Sequence, residues 1–238
     1  MKVYAISDLH LSGSCDKPMD IFGGEWKDYV EKIAADWRAR VGEGDVVLLP
    51  GDLSWAMNLE QAKTDFEFLA ELPGSKVIIR GNHDYWWNSL SKLRSALPSG
   101  IYPVQNDVLR LGNLLVCGTR GWTVPESGKT LSAEDKKIYL REVERMKLTL
   151  SAMAKERKDG DAVAVMTHYP PFNSRRESNE LTELIESAKP DFAVYGHLHG
   201  KDSRADLVVS RGGVDYYLTS CDLLKNTLLQ LPLSAERD

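Results

Sequence analysis

Residues 76–84 read KVIIRGNHD, an apolar run that ends abruptly in an arginine, a glycine, an amide, an imidazole and a carboxylate. The run has no polar alternation, so it predicts a short strand covered on both faces, as in a parallel sheet held between other layers. In open α/β sheets ligands bind beyond the carboxyl ends of the strands. Asn82, His83 and Asp84 therefore fall where chemistry is done.

The same arrangement recurs along the chain. KVYAIS from Lys2 leads into Asp8 and His10, DVVLL from Asp45 into Gly51 and Asp52, AVAVM from Ala162 into His168, and DFAVY from Asp191 into His197 and His199. These are all five histidines of the chain, each just past a predicted strand.

Between the strands lie helical periods. Trp26, Val30, Ile33 and Trp37 recur at steps of three or four, and Asn58 is placed to cap a helix burying Leu59, Ala62, Phe66 and Leu69. A longer helix is predicted from a cap at Ser132, carrying Tyr139, Val143, Met146, Leu150 and Met153 on one stripe and stopping at Gly160. IYPV, DVLRL and NLLVCGT, over 101–119, read as antiparallel strands or hairpins, and Arg211, Gly212 and Gly213 as the turn of a late hairpin. NTLLQL reads as a last strand. On these elements alone the expectation is an α/β/α layering in a single domain over residues 1–238, with no internal repeat.

The 238 residues carry a net charge of -5 and a pI near 5.6, so no global basic field draws a polyanion and nucleic acid is a poor expectation. Cys15, Cys117 and Cys221 are far apart, without CxxC or disulfide-framework spacing. The apolar stretch before Asp8 is too short for a signal-peptide core, and no run approaches the roughly 20 residues needed to cross a bilayer. The expectation is a cytoplasmic protein with no membrane partner.

If the strand ends converge, they bring together carboxylates from Asp8 and Asp52, the amide oxygen of Asn82 and up to five imidazoles. That mixture suits divalent Mn, Fe or Zn better than Mg or Ca, which favour oxygen-only sets. The donors are too many for one ion. Residues two apart in extended chain share a side, so Asp8 with His10 and His197 with His199 can act as pairs around two ions about 3.5 to 4 Å apart. Asp52, alone in its motif, is the natural bridge. Taken singly, DLH or GD is an ordinary turn or cap; the argument rests on all five motifs in order.

That ordered set, DLH, GD, GNHD, a histidine after a strand, then GHLH, resembles the calcineurin-like metallophosphoesterase superfamily from Asp8 to His199. The resemblance implies a four-layer α/β/β/α sandwich with mixed sheets and a dinuclear site at the carboxyl ends of the strands. It gives Asp8, His10, Asp52 and His199 to one metal and Asp52, Asn82, His168 and His197 to the other. His83 is left without a metal.

The activity so implied is hydrolysis of a small phosphomonoester or phosphodiester, such as a nucleotide or cyclic nucleotide, by metal-bound hydroxide, with His83 as the general acid for the leaving group. In RGNHD, Gly81 is expected to let the strand turn. Asp84 is expected either to orient His83 or to cap the following helix. Arg120, Arg175 and Arg176 are candidates to reach the phosphate from rim loops, although solvated loop arginines are equally ordinary. Trp55, Trp86 and Trp87 lie close enough to stack a nucleobase, but core packing explains them better. The loop from Leu11 to Gly24 is expected to form the rim of the pocket. The GDLSWAM stretch departs from the GDxxDRG of Ser/Thr protein phosphatases and argues against that branch. Two other functions compete: a catalytically silent metal-binding scaffold, disfavoured by the intact ligand set, and a nuclease, disfavoured by the acidic balance.

Overall fold

Two mixed sheets face each other in the computed structural model, which describes residues 1–200, 203 and 205–233. The first has the order β11-β1-β2-β3-β4, built from Val3–Ala5 (β1), Val46–Leu49 (β2), Ser75–Ile78 (β3), Ile101–Pro103 (β4) and Leu229–Leu231 (β11). The second has the order β5-β6-β7-β8-β10-β9, from Val108–Leu111 (β5), Leu114–Thr119 (β6), Ala162–Thr167 (β7), Phe192–Tyr195 (β8), Val208–Arg211 (β9) and Val214–Leu218 (β10). All neighbours run parallel except the edge pairs β1–β11, β5–β6 and β9–β10.

The continuous apolar runs follow from this stacking. Along β2, Val46 and Leu48 enter the layer between the sheets, while Val47 and Leu49 enter the layer beneath the helices. Likewise Ala164 and Met166 of β7 face the first sheet, and Val163 and Val165 face away from it. Side chains alternate, but both sides are dry, so no polar alternation is left in the sequence.

Helices Tyr29–Arg40 (α1), Leu59–Ala70 (α2) and Leu90–Ala96 (α3) cover the first sheet through Ile33, Trp37, Phe66, Leu69 and Leu93. Ala133–Glu156 (α4) and Glu180–Ser187 (α5) cover the second through Tyr139, Val143, Met146, Leu181 and Ile185. The result is four layers, α/β/β/α. The caps lie where the sequence puts them: Asn58 accepts from the Gln61 N–H at 3.0 Å, and Ser132 from the Asp135 N–H at 3.0 Å.

Three details differ from the sequence reading. Strand β4 pairs parallel with β3 rather than entering an antiparallel hairpin, because α3, which the sequence reading passed over, returns the chain to the same end of the sheet. α4 ends at Glu156, four residues before Gly160. Helix α5, capped by Asn179 with Thr182 closing a capping box, was also not foreseen. No helix among the described residues is long and apolar enough to cross a membrane.

Candidate metal centre

A backbone bridge between Ser7 and Ser220 ties the end of β1 to the chain leaving β10, and the Asp8 and His10 N–H groups bond the Gly51 and Asp52 carbonyls at 3.0 Å each. The carboxyl ends of both sheets therefore meet at one place. There the backbone is strained: Asp8, His10, Asp52 and His197 have φ of 59°, 44°, 53° and 73°. Non-glycine residues in this left-handed region cost of the order of 1–3 kcal/mol each, and cluster where function needs them.

Close approach explains two motif glycines. A Cβ at Gly196 would collide with the Asp8 carboxylate, and one at Gly81 with the Asp52 backbone and carboxylate. Gly81 shows no positive φ, so it is there for room and not, as the sequence suggested, to turn the strand.

The donors form two groups that share Asp52. In the first, one ligand atom each from Asp8, His10, Asp52 and His199 lies within 4.8 Å of the others. His199 Nε2 is 3.1 Å from Asp8 Oδ1 and 3.3 Å from His10 Nε2. In the second, Asn82 Oδ1 lies 2.6 Å from His168 Nε2 and 2.9 Å from His197 Nδ1. Asp52 Oδ2 stands between the groups, 3.8 Å from His10 Nε2 and 3.5 Å from His168 Nε2.

The chemistry of these contacts fits metal ions. The Pro50 carbonyl can only accept, so His168 Nδ1, at 3.0 Å, carries the hydrogen and Nε2 is left a bare lone pair. That lone pair faces the Asn82 oxygen and the Asp52 carboxylate. Acceptors turned towards one another in a buried site are the set that a shared cation would satisfy. His199 is oriented in the same way, with Nδ1 3.4 Å from Asp222 Oδ1 and Nε2 turned inward.

Without ions, protons take up part of this role. Burial and the neighbouring Asp8 charge push Asp52 up to about 8. Burial alone would lower His199, but Asp8 and Asp222 overcome it and raise the imidazole to about 10. For Asp8 burial is likewise outweighed, chiefly by the His199 charge, and its carboxyl is held well below the usual range. Burial pushes His10 down to about 3 and His197 to about 4, keeping both neutral as ligands require.

A sequence profile of the Calcineurin-like phosphoesterase family matches residues 1–201. The chain belongs to this family. The similarity to an uncharacterised protein of Methanocaldococcus jannaschii is 33% identity over 88 residues, 35% of this chain and 47% of that protein. The chain thus spans about half the length of that curated relative. Among solved structures, a protein of unknown function from Aquifex aeolicus superposes with a TM-score of 0.50 at 14% identity, covering 96% of this chain and 95% of the other, a likeness of fold alone.

In this phosphoesterase-family chain His83 stands beside both donor groups without joining either. Its ring makes no hydrogen bond among the described residues, Nδ1 is buried and unpartnered, and the ring packs 4.6 Å from Trp55 and 5.6 Å from His10. Asp84 meets neither expectation. Ser89 caps α3, while the fully buried Asp84 carboxylate accepts the backbone N–H groups of Asp52, Leu53, Ser54 and Gly81 and the Trp86 indole N–H, at 2.7–3.3 Å. It fastens the loop carrying Asp52 to the loop carrying Asn82.

The three arginine candidates diverge. Arg120 stacks over Trp122 at 4.7 Å, Arg175 is exposed, and Arg176 pairs with Asp206 on the rim of a cavity that reaches His197. Of the three tryptophans Trp55, Trp86 and Trp87, the last two are buried in the core and Trp55 meets the site, stacked on His10 at 4.7 Å, while Trp26 packs 6.2 Å from His10 and 5.9 Å from His199. Sequence reasoning missed Asp222, which orients His199, and Ser7 and Ser220, whose hydroxyls both donate to Asp8 Oδ2. TSCD follows β10 directly, so the strand-end rule that found the histidines would have found Asp222 too.

Proposed function

We propose that this chain is a dinuclear-metal-dependent phosphoesterase that hydrolyses a small phosphomonoester or phosphodiester, with His83 as general acid. The observation that carries the reading is the Asp52 carboxylate oxygen standing between two donor groups, 3.8 Å from His10 and 3.5 Å from His168. Asp8, His10, Asp52 and His199 would hold one ion, and Asp52, Asn82, His168 and His197 the other; the donor mixture suits Mn, Fe or Zn. Such ions supply charge neutralisation for the phosphate and a lowered pKa for water.

The chain's own contribution is orientation and proton supply. Pro50 and Asp222 aim two of the imidazoles, and the Asp84 contacts hold Asp52 in place. Burial lowers the pKa of His83, with the charges of His168 and His199 acting in the same direction. A phosphate anion beside the ring would oppose that shift and favour the imidazolium, which can then protonate a departing alkoxide.

The test is turnover by the metal-reconstituted protein of nitrophenyl phosphate, bis-nitrophenyl phosphate, cyclic nucleotides and single-stranded DNA. Cleavage of small esters is expected. Two bound metals with no turnover of any substrate would favour the silent scaffold, and cleavage of DNA alone would favour the nuclease.

A further inference from the structure

Two arginines beyond the strand ends have no anionic partner within the chain. Arg80 lies just past β3 and directly precedes Gly81 and Asn82, while Arg120 follows β6 and its carbonyl accepts the His168 and Tyr169 N–H groups at 3.0 Å each. Both therefore belong to the segments that carry the second donor group. Each is half-buried, each has an Nε buried without a hydrogen-bond partner, and no ion pair reaches either guanidinium among the described residues.

Their surroundings are cationic although the whole chain carries a net charge of -5. Burial lowers the Arg120 pKa, the Arg80 and Arg141 charges act in the same direction, and the Glu142 carboxylate opposes them. Glu142 is itself bonded by Arg145 at 2.6 Å and makes no ion pair with Arg120. Two guanidinium groups within electrostatic reach of one another and partly withdrawn from water are costly, and an anion between them removes the cost.

Arg120 is not a freely solvated side chain. Its guanidinium lies 4.7 Å over the Trp122 ring, Trp122 packs 5.0 Å from Tyr169, and Tyr169 packs 4.2 Å from His197. A stack of rings thus ties it to the frame that holds the second donor group. A fixed guanidinium fork matches the oxygens of a phosphate, which it can bind through two hydrogen bonds at once. In the phosphoesterase reading the ions neutralise the reacting phosphate. The arginines remain for another anion.

We propose that Arg80 and Arg120 together receive a second phosphate group of a bisphosphorylated substrate, beside the Asn82, His168 and His197 donors. The inference deepens the phosphoesterase reading and rests on it for the position of the reacting phosphate.

The experiment uses the metal-loaded full chain and the bisphosphates of ethanediol, butanediol and hexanediol, each against its monophosphate, so that three lengths sample the span from the donors to the arginines. At one length the bisphosphate is expected to be preferred by kcat/KM about tenfold or more, beyond the statistical advantage of its second ester group. Arg80→Gln and Arg120→Gln should each reduce that preference about tenfold, the loss of a charged hydrogen bond. Sulfate binding to the chelator-treated chain, followed by calorimetry, should weaken by a similar factor in both variants. If Arg120→Gln, which loses the stack on Trp122, fails to fold, Arg80→Gln alone decides.

Monophosphates cleaved with no bisphosphate preferred at any length, or a preference that neither variant moves, would overturn the second-phosphate site and leave the phosphoesterase reading standing. Sulfate bound by the wild type and weakened in the variants, with no ester cleaved, would support the anion site and overturn the phosphoesterase reading.

Discussion

Asp84→Asn is nearly isosteric but should be among the most damaging single-atom changes in this chain. One Asp84 oxygen accepts from the Asp52 and Gly81 N–H groups at 2.9 and 2.7 Å, and the other from Leu53, Ser54 and Trp86 at 2.9, 3.3 and 3.1 Å. An amide keeps one acceptor, and its NH2 must face the donors of the other side. Leaving the smaller set, two buried N–H groups, without an acceptor costs about 1–3 kcal/mol each before the loops relax, so a net loss of about 2–4 kcal/mol is expected. For a chain of this size that is a fall in Tm of roughly 5–15 °C. It should be measured on chelator-treated protein, so that metal linkage does not mask it, alongside metal analysis of the reconstituted variant. Because the displaced loop carries Asp52, bound metal should fall below two ions per chain. A Tm within about 2 °C of wild type together with two retained metals would refute the argument.

His83→Ala should retain both metals yet lower kcat about 100-fold or more for alkyl esters and less for nitrophenyl esters, whose leaving groups need no proton; equal losses on both would remove the general-acid role. Asp222→Ala should weaken metal affinity about 10- to 100-fold by releasing His199 to rotate, read as a shifted midpoint in a chelator competition titration. The Arg110 hydrogen bond, with the Lys158 N–H, holds Asp161 down at about 2, below its ordinary 3.8. Its folded pKa being depressed, the stabilisation is present above pH 3.8 and is lost as pH falls through about 2. The Tm deficit of Asp161→Asn should therefore be steady from pH 5 to 8 and close between pH 4 and 2; a deficit unchanged at pH 2 would contradict the assignment.

The elements were largely legible because their causes are local. Asn58 and Ser132 announce their helices by a side-chain oxygen that can reach an N–H three residues on, and the stripe from Tyr139 to Met153 is a period of 3.6 written in one segment. The candidate donors were legible as well, since each of them follows closely on a strand. Strand β4 was misread because IYPV has the same local appearance whether its partner runs parallel or antiparallel. Its direction is set by α3, whose weak seven-residue pattern gave no signal.

The sequence by itself determined which residues could be ligands and where the chain turns from apolar to polar. Residue chemistry alone left open how the donors divide, which only the family resemblance implied, and tertiary structure brings the two groups together, because the division depends on distances between atoms about 90 to 190 residues apart. Asn82 Oδ1 meets His197 Nδ1 across 115 positions, and His10 meets His199 across 189. It decided the work of RGNHD as well. Gly81 makes room for Asp52, Asn82 turns its oxygen towards two imidazoles, His83 is left free, and Asp84 turns back into the protein to hold the neighbouring loop. A carboxylate's role is set by which N–H groups surround it, and three of the five come from a loop about thirty residues away that only the packed fold brings to 2.9–3.3 Å.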